Sequence, residues 1–292
     1  MRRTMLALVA PVTALAAAPA AAEPVVLKPS SQWNVDFAED QCRLVRLFGP
    51  EEDRHFLSFQ QYWPAKQTGL TIAGSAFKRF RSLERTYVRF HDMQEPLRTL
   101  PFTGSVEEYG TGVIYSSIGL DESEPESGTS DDEEDAGWEM LDLEMAKKVE
   151  FVEIKQGSRV VRLETGPLDA AFEVLNQCTL DLLRDWGLDP ERHLTLQNGP
   201  RWVNQTLIAR RIMADYPDSA LVQGEQGIMR MRVIVSAEGA VESCTILKAT
   251  QTQSLESPAC KLMKSAKFEP ARDAAGEPFR SYYATSITYR MR

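Results

Sequence analysis

Residues 203–292 carry the pattern that most narrows what this chain can fold into. Over 229–235, apolar residues alternate with Arg230, Arg232 and Ile234, which is typical of a half-buried strand. A turn at 236–239 leads into a second strand-like run at 241–247, so the two runs predict a β-hairpin. A helix is expected before the hairpin, over 203–213.

A second helix and a third strand are expected after the hairpin. Ser257 suits a helix N-cap and Pro258 suits the first helical position. The helix ends at 268–271, and 280–291 alternates again and is rich in Tyr and Thr. The order helix, strand, strand, helix, strand predicts a three-stranded sheet with helices on one face.

The first twenty-two residues have the features of a secretory signal peptide. Arg2 and Arg3 precede an apolar run at 5–18, and small residues end the segment, which predicts cleavage between Ala22 and Glu23. The alternative is a retained membrane anchor. The apolar run is short and Ala-rich for a span of about 30 Å, so we expect an exported, periplasmic protein rather than an anchored one.

Export changes the interpretation of the four cysteines, which allow three disulfide pairings. Cys244 falls on the second strand of the hairpin and Cys260 on the helix that follows. A bond between them would staple helix to sheet and contribute roughly 3 kcal/mol in the chain-entropy model. The chain has no C-x-x-C motif, so neither a zinc site nor a redox motif of that type is expected.

An ordered set of short motifs in this region resembles the C-terminal domain of TonB-type energy transducers. The set is Tyr216-Pro217, Gly227 before a strand, Glu238-Gly239-Ala240-Val241 in the hairpin, and Lys267-Phe268-Glu269-Pro270-Ala271 at the end of the helix. The resemblance covers about residues 203–292. The Cys244–Cys260 pair resembles a variant present in some TonB-like proteins.

The resemblance implies a periplasmic domain that recognises an extended segment of an outer-membrane receptor by strand addition. The edge strand is then 280–291. Its partner-facing side chains are expected from one alternating set, Tyr282, Ala284, Ser286, Thr288 and Arg290, or from the opposite set, because the sequence leaves the face open. The alternatives are a strand that only completes the core and an edge that mediates a homodimer.

This chain also departs from a transducer in two respects. It carries a cleavable signal in place of an anchor, and a folded domain in place of a long Pro-rich spacer. We therefore expect a non-enzymatic binding or adaptor protein with a protein or peptide partner. The alternatives are an envelope structural or sensory module that self-associates, and a membrane-retained energy transducer.

Residues 31–188 are expected to form a separate α+β domain, rich in short strands and covered by one long helix. That helix is predicted over 168–186, where apolar residues recur every three or four positions between Pro167 and Gly187. The apolar stripe includes Cys178, so a bond to Cys42 is favoured over two unpaired buried cysteines. Residues 23–31 are interpreted as a Pro-containing lead-in.

Two polar segments are expected to lack a core. Residues 121–137 read DESEPESGTSDDEEDAG, which predicts a disordered acidic loop. Calcium binding through Asp131, Asp132, Glu133 and Glu134 is the alternative, but their spacing does not match a known calcium loop. Residues 189–202 contain two prolines and a glycine and are interpreted as the linker between the domains.

Charge and motifs exclude several functions. The formal net charge is −9, without a clustered basic face, which argues against nucleic acid. G-x-S-x-G, H-E-x-x-H and P-loop motifs are absent, so no catalytic residue, metal site or cofactor is predicted. The three histidines, His55, His91 and His193, lie in polar surroundings and are expected at the surface.

Overall fold

The computed structural model describes residues 24–82, 84–121, 139–215, 218, 222, 226–248, 250 and 258–289. Several predictions lie outside these ranges: the signal peptide with its Ala22/Glu23 cleavage site, the acidic loop beyond Asp121, the Tyr216-Pro217 pair, and Arg290. We refer to residues 24–188 as the N-terminal part and to residues 189–289 as the C-terminal part.

The N-terminal part is built mainly from strands. Its elements are β1 Val25–Leu27, β2 Asn34–Ala38, β3 Gln41–Phe48, β4 His55–Gln61, β5 Thr68–Ala73, β6 Thr86–Arg89, β7 Leu97–Thr99, β8 Phe102–Val106, β9 Gly110–Ile118, α1 Leu143–Lys147, β10 Val152–Gln156, β11 Arg159–Leu163 and α2 Asp169–Asp185. Short 3₁₀ turns lie at Glu51–Asp53, Ser75–Phe77 and Glu107–Tyr109.

These strands form two sheets. The larger sheet has the order β2-β3-β4-β5-β9-β8 and is antiparallel. The smaller has the order β1-β11-β10-β6-β7, in which β1 is parallel to β11, with Val25 opposite Val161. The sequence pattern shows no strand in the lead-in at 23–31, because the partner of β1 is distant in sequence and a short local pattern carries no information about it.

Helix α2 covers the larger sheet and shares one core with it. Phe172, Leu175 and Leu182 are buried, as their spacing along the helix requires. The ring of Phe172 meets that of Phe59 edge-on, with centroids 5.2 Å apart. Gly187 follows the end of the helix at φ +70°. This left-handed conformation turns the chain out of the helix, and glycine adopts it without steric cost.

The C-terminal part mixes short helices with one long-stranded sheet. Its elements are α3 Pro190–Leu194, β12 Arg201–Trp202, α4 Gln205–Ala214, β13 Gly227–Val235, β14 Val241–Lys248, α5 Ala259–Met263, β15 Phe268–Glu269, β16 Ala271–Arg272, β17 Pro278–Phe279 and β18 Ser281–Tyr289. β13 lies between β14 and β18 in an antiparallel three-stranded sheet, and β12 pairs with β15 as β16 does with β17.

The three-stranded sheet has two buried faces. On its helix face, Met231, Val233 and Tyr283 pack with residues of α4 and α5, including Ile208 and Met263. On its covered face, the side chains meet the N-terminal part instead, and these residues are Arg230, Arg232, Ile234 and Tyr282. The sheet is therefore a middle layer, since both of its faces are occupied.

The segment 189–202, interpreted from sequence as a linker, contains α3 and β12. The carboxylate of Asp189 caps α3 by accepting hydrogen bonds from the backbone N–H groups of Glu191 and Arg192. Arg192 forms an ion pair with Asp273, which ties α3 to the turn between β16 and β17. The domain boundaries themselves stay a prediction.

The described residues contain both helices and several sheets, which confirms the α+β class. Within the same ranges, no helix combines the length and apolar character needed to cross a membrane.

Candidate protein-binding edge

The strand predicted to meet a partner, β18, lies at one edge of the three-stranded sheet. It pairs with β13 over its whole length, from Ser281 opposite Val235 to Tyr289 opposite Gly227, without a register shift. Among the described residues, no strand pairs with its other side. A regular edge strand of nine residues offers a row of backbone N–H and C=O groups to an extended chain.

The structure shows which face of the three-stranded sheet each alternating set of β18 side chains occupies. The set that begins with Tyr282 lies on the covered face, and Tyr283 and Ile287 lie on the helix face. The first set differs along its length, because Tyr282 is 6% exposed whereas Ser286 and Thr288 are exposed. Ala284 is intermediate, and Arg290 lies outside the described residues.

Tyr282 is buried by contacts between the two parts of the chain. Its ring lies edge-on to Trp186 with centroids 5.4 Å apart, and 5.9 Å from the ring of His193. Leu183 and Leu188 complete the cluster. A partner strand therefore cannot use Tyr282 as an exposed anchor, and its contacts on this face are confined to the exposed half of the strand.

Arg230 is the most buried charge of the covered face. It donates hydrogen bonds to the carbonyl oxygen of Ser116 and to the hydroxyl of Ser286, and its guanidinium lies over the Tyr62 ring at 5.2 Å. Burial lowers the pKa of Arg230 and raises the pKa of Tyr62. Within the described residues no carboxylate pairs with Arg230, and the partners of its guanidinium there are a carbonyl, a hydroxyl and a ring.

Arg232, two residues along the same strand, makes a second contact with the N-terminal part. Its guanidinium lies 3.2 Å from the carboxylate of Asp40 and 4.0 Å above the Trp186 ring. Burial lowers the pKa of Arg232, and Asp40 acts in the opposite direction. Arginines that alternate with apolar residues usually indicate a solvent-facing side, so sequence alone did not predict that Arg230 and Arg232 face the N-terminal part.

Two of the three histidines are buried, so the expectation of surface positions was wrong for them. His55 is 1% and His193 is 0% exposed. Each ring has a backbone carbonyl within reach, from Asp53 and Asp189 respectively, and His193 Nε2 lies 2.8 Å from the Ser281 hydroxyl oxygen. These partners supply hydrogen bonds to both buried rings in place of water. Burial lowers the pKa of His193.

The opposite edge of the sheet, β14, differs from β18. Its pairing with β13 shifts register between Ile234 and Val235, so Glu242 is an extra residue in a β-bulge. Glu242 is held by Arg280, with 2.7 Å between Nε and the carboxylate oxygen. A bulge and a charged side chain at an edge both hinder the addition of another strand.

Cysteine pairing in the structure follows the sequence expectation. Cys42 on β3 is bonded to Cys178 on α2, and Cys244 on β14 is bonded to Cys260 on α5. The first bond ties the long helix to the larger sheet, and the second ties α5 to the edge of the three-stranded sheet.

Comparison with protein families places residues 213–291 in a known class of domain. This segment matches the family described as the Gram-negative bacterial TonB protein C-terminal. The family is a non-enzymatic, transport-associated domain whose members interact with proteins such as outer-membrane receptors. The resemblance expected from sequence is thereby confirmed for this segment, which is roughly a quarter of the chain.

Comparisons with curated proteins and with solved structures found no match. The family match does not extend to the N-terminal part.

Proposed function

We propose that this chain is a periplasmic, non-enzymatic adaptor that captures an extended segment of a partner protein by strand addition at β18. The observation that carries the proposal is a regular edge strand of nine residues, to whose outer side no other described strand is paired, inside a segment that matches the TonB C-terminal family. Main-chain hydrogen bonds would supply affinity, and side-chain contacts would supply selectivity.

The contrast between the two edges supports β18 as the site. β14 carries a bulge at Glu242, and its carboxylate is engaged by Arg280. β18 has no register shift along its length. An incoming strand can therefore keep a continuous hydrogen-bond ladder on β18, whereas on β14 the ladder is interrupted.

The N-terminal part would act as a support for this edge. It occupies the covered face around Arg230, Arg232 and Tyr282, so a partner can reach that face only where β18 remains exposed. The exposed positions that remain beside a bound peptide are Ser286 and Thr288, which are small and polar. These positions favour a partner recognised mainly through its backbone.

Hydrogen exchange measured by mass spectrometry tests the proposal. The probe is a synthetic peptide from the periplasm-facing segment of an outer-membrane receptor. We expect slower exchange in 281–289 when the peptide is present and unchanged exchange in 241–248. A control peptide with proline at alternate positions lacks the necessary N–H donors and should have no effect. Protection of β14, or of neither edge, contradicts the proposal.

Self-association through the same edge is the second candidate function, because two copies of β18 can also pair with each other. Sedimentation over a range of protein concentrations separates the candidates. A stable dimer with 281–289 already protected from exchange favours the structural or sensory module and counts against peptide capture.

Export and cleavage after Ala22 are part of the same proposal, and two disulfides are consistent with an oxidising compartment. Intact mass of the protein recovered from a bacterial envelope tests them. A species that begins at Glu23 supports the adaptor. A membrane-bound species that retains Met1 supports the alternative of an energy transducer.

A further inference from the structure

The two disulfides lie in opposite environments. Cys42 is 0% and Cys178 is 2% exposed, within the core between α2 and the larger sheet. Cys244 and Cys260 are both partly exposed. They line a surface groove of about 520 Å³ between β14 and α5, together with Val241, Glu242, Ser243, Lys261 and Lys264.

The groove is open to a reagent from solution on the side of the sheet edge. β14 is an edge strand, and no strand among the described residues covers its outer side. Glu242 and Ser243, which lie next to Cys244, are exposed. Thiol–disulfide exchange requires a thiolate to reach one of the two sulfur atoms. A reagent in solution can therefore reach the Cys244–Cys260 bond more easily than the buried Cys42–Cys178 bond.

The charges around the groove favour a thiolate. Lys261 and Lys264 are exposed, and neither forms an ion pair with any other described residue. Cys260 and Lys264 are separated by four positions at α5, which places them on one side of it. The groove's carboxylate, Glu242, is engaged by Arg280. Ammonium groups stabilise a nearby thiolate and attract an anionic attacking sulfur.

We infer that the Cys244–Cys260 bond is a thiol–disulfide exchange site for an external dithiol, and that the Cys42–Cys178 bond is not. In the first step a thiolate of the dithiol attacks Sγ of Cys244. The Cys244–Cys260 bond breaks, a mixed disulfide forms on Cys244, and Cys260 leaves as a thiolate beside the lysines.

In the second step the second thiol of the dithiol attacks the reagent sulfur that is bonded to Cys244. The mixed disulfide breaks, the dithiol closes to its own disulfide, and Cys244 is released as a thiolate. The protein gains two electrons and two protons as two thiols, and the dithiol becomes a disulfide. Cys260 is the better leaving group of the pair because the nearby lysines stabilise its thiolate. The reverse sequence, with an oxidised partner, restores the bond.

The test uses the full, folded chain and dithiothreitol as the dithiol. The reaction is stopped by alkylation at successive times, and the alkylated cysteines are located by peptide mass spectrometry. We expect the initial rate at Cys244 and Cys260 to exceed that at Cys42 and Cys178 by at least about tenfold, because the latter require opening of the core. The Cys42–Cys178 bond is an internal control.

Lysine variants test the electrostatic part. Replacing both Lys261 and Lys264 by glutamine should slow reduction about two- to threefold, since surface charges are partly screened. Lys267→Gln removes a lysine that is also exposed but does not line the groove, and it should leave the rate unchanged. Equal slowing by Lys267→Gln overturns the assignment of the lysines.

A monothiol locates the attacked sulfur. Glutathione should give a mixed disulfide on Cys244, and a product on Cys260 overturns the direction of attack. Comparable initial rates for the two bonds, or no reduction of Cys244–Cys260 without denaturant, overturn the exchange site itself.

Discussion

The two faces of the three-stranded sheet are built from the same strands by different means. The helix face is apolar, with Met231 and Val233 buried under α4 and α5. The covered face carries Arg230 and Arg232, which are held by a carbonyl, two aromatic rings and one carboxylate of the N-terminal part, and by the Ser286 hydroxyl of β18.

The difference shows how one face of a sheet can be buried by a second region of the same chain. The helix face is closed by elements adjacent in sequence, and its burial follows from apolar alternation. The covered face is closed by residues of the N-terminal part, some of them more than a hundred positions away, such as Ser116, and it keeps charges that an isolated sheet would expose to water. The helix face should therefore depend on packing, and the covered face on polar contacts and on pH.

The largest effect is expected from the helix face. Met231→Ala should lower the free energy of unfolding by about 2–5 kcal/mol, because it leaves a cavity beneath the helices. Urea unfolding followed by circular dichroism measures the change. Glu238→Ala, at an exposed turn position, should change stability by less than about 0.5 kcal/mol. A loss below about 1 kcal/mol at Met231 would show that the face is loosely packed.

A smaller effect is expected at the buried arginine. Arg230→Ala removes the bonds to Ser116 and Ser286 and should cost about 1–3 kcal/mol. Arg230→Met keeps most of the stem packing and removes an unpaired buried charge, so it should cost less than the alanine variant. The same unfolding experiment compares the two. If methionine costs as much as alanine, the polar contacts rather than the packing stabilise this face.

A pH dependence is expected from His193. Burial lowers the pKa of His193, with Arg192 acting in the same direction and Asp189 against it. The unfolded chain therefore binds the proton at higher pH than the folded chain, and stability falls as pH drops below the ordinary value near 6.5. The slope from one group is at most about 1.4 kcal/mol per pH unit.

Unfolding at several pH values between 5 and 8 measures this slope. His193→Gln should flatten the dependence in that range, whereas His91→Gln should keep it. An unchanged slope in the His193 variant would assign the dependence to another group.

The smallest effect is expected at the ion pair between Arg232 and Asp40. Asp40 is partly exposed, so Asp40→Asn should cost only about 0.2–1 kcal/mol, and the difference should shrink at high salt. Thermal unfolding at low and high ionic strength checks both statements. A loss well above 1 kcal/mol would mean that the pair is screened from solvent more fully than its exposure indicates.

Local pattern predicted the long strands of the C-terminal part well. The strands of the hairpin, the closing strand and the long helix of the N-terminal part lie within a few residues of their predicted limits. The Cys244–Cys260 pairing followed from the placement of the two residues on neighbouring elements. β1 and α3 were missed, because one depends on a distant parallel partner and the other is a five-residue helix among polar residues.

The sequence also predicted which residues form the candidate edge strand, but not which of its side chains are exposed. Sequence alternation identified two sets of side chains on β18 and gave no reason to choose between them. The structure shows that the set beginning with Tyr282 meets the N-terminal part, and that only its later members are exposed. That choice depends on which domain packs against which face.

By itself, the sequence determined the α+β class, the resemblance of the C-terminal region to one family, and the periodicity that buries Met231 and Val233. These are properties of neighbouring residues, whose spacing sets which side chains share a face. Only the tertiary structure decided that Arg230 and Tyr282 are buried, that β18 is the regular edge and β14 the bulged one, and that one disulfide lies open while the other is enclosed. Each of these depends on contacts between residues far apart in the chain, and their free energy is not encoded in any local pattern.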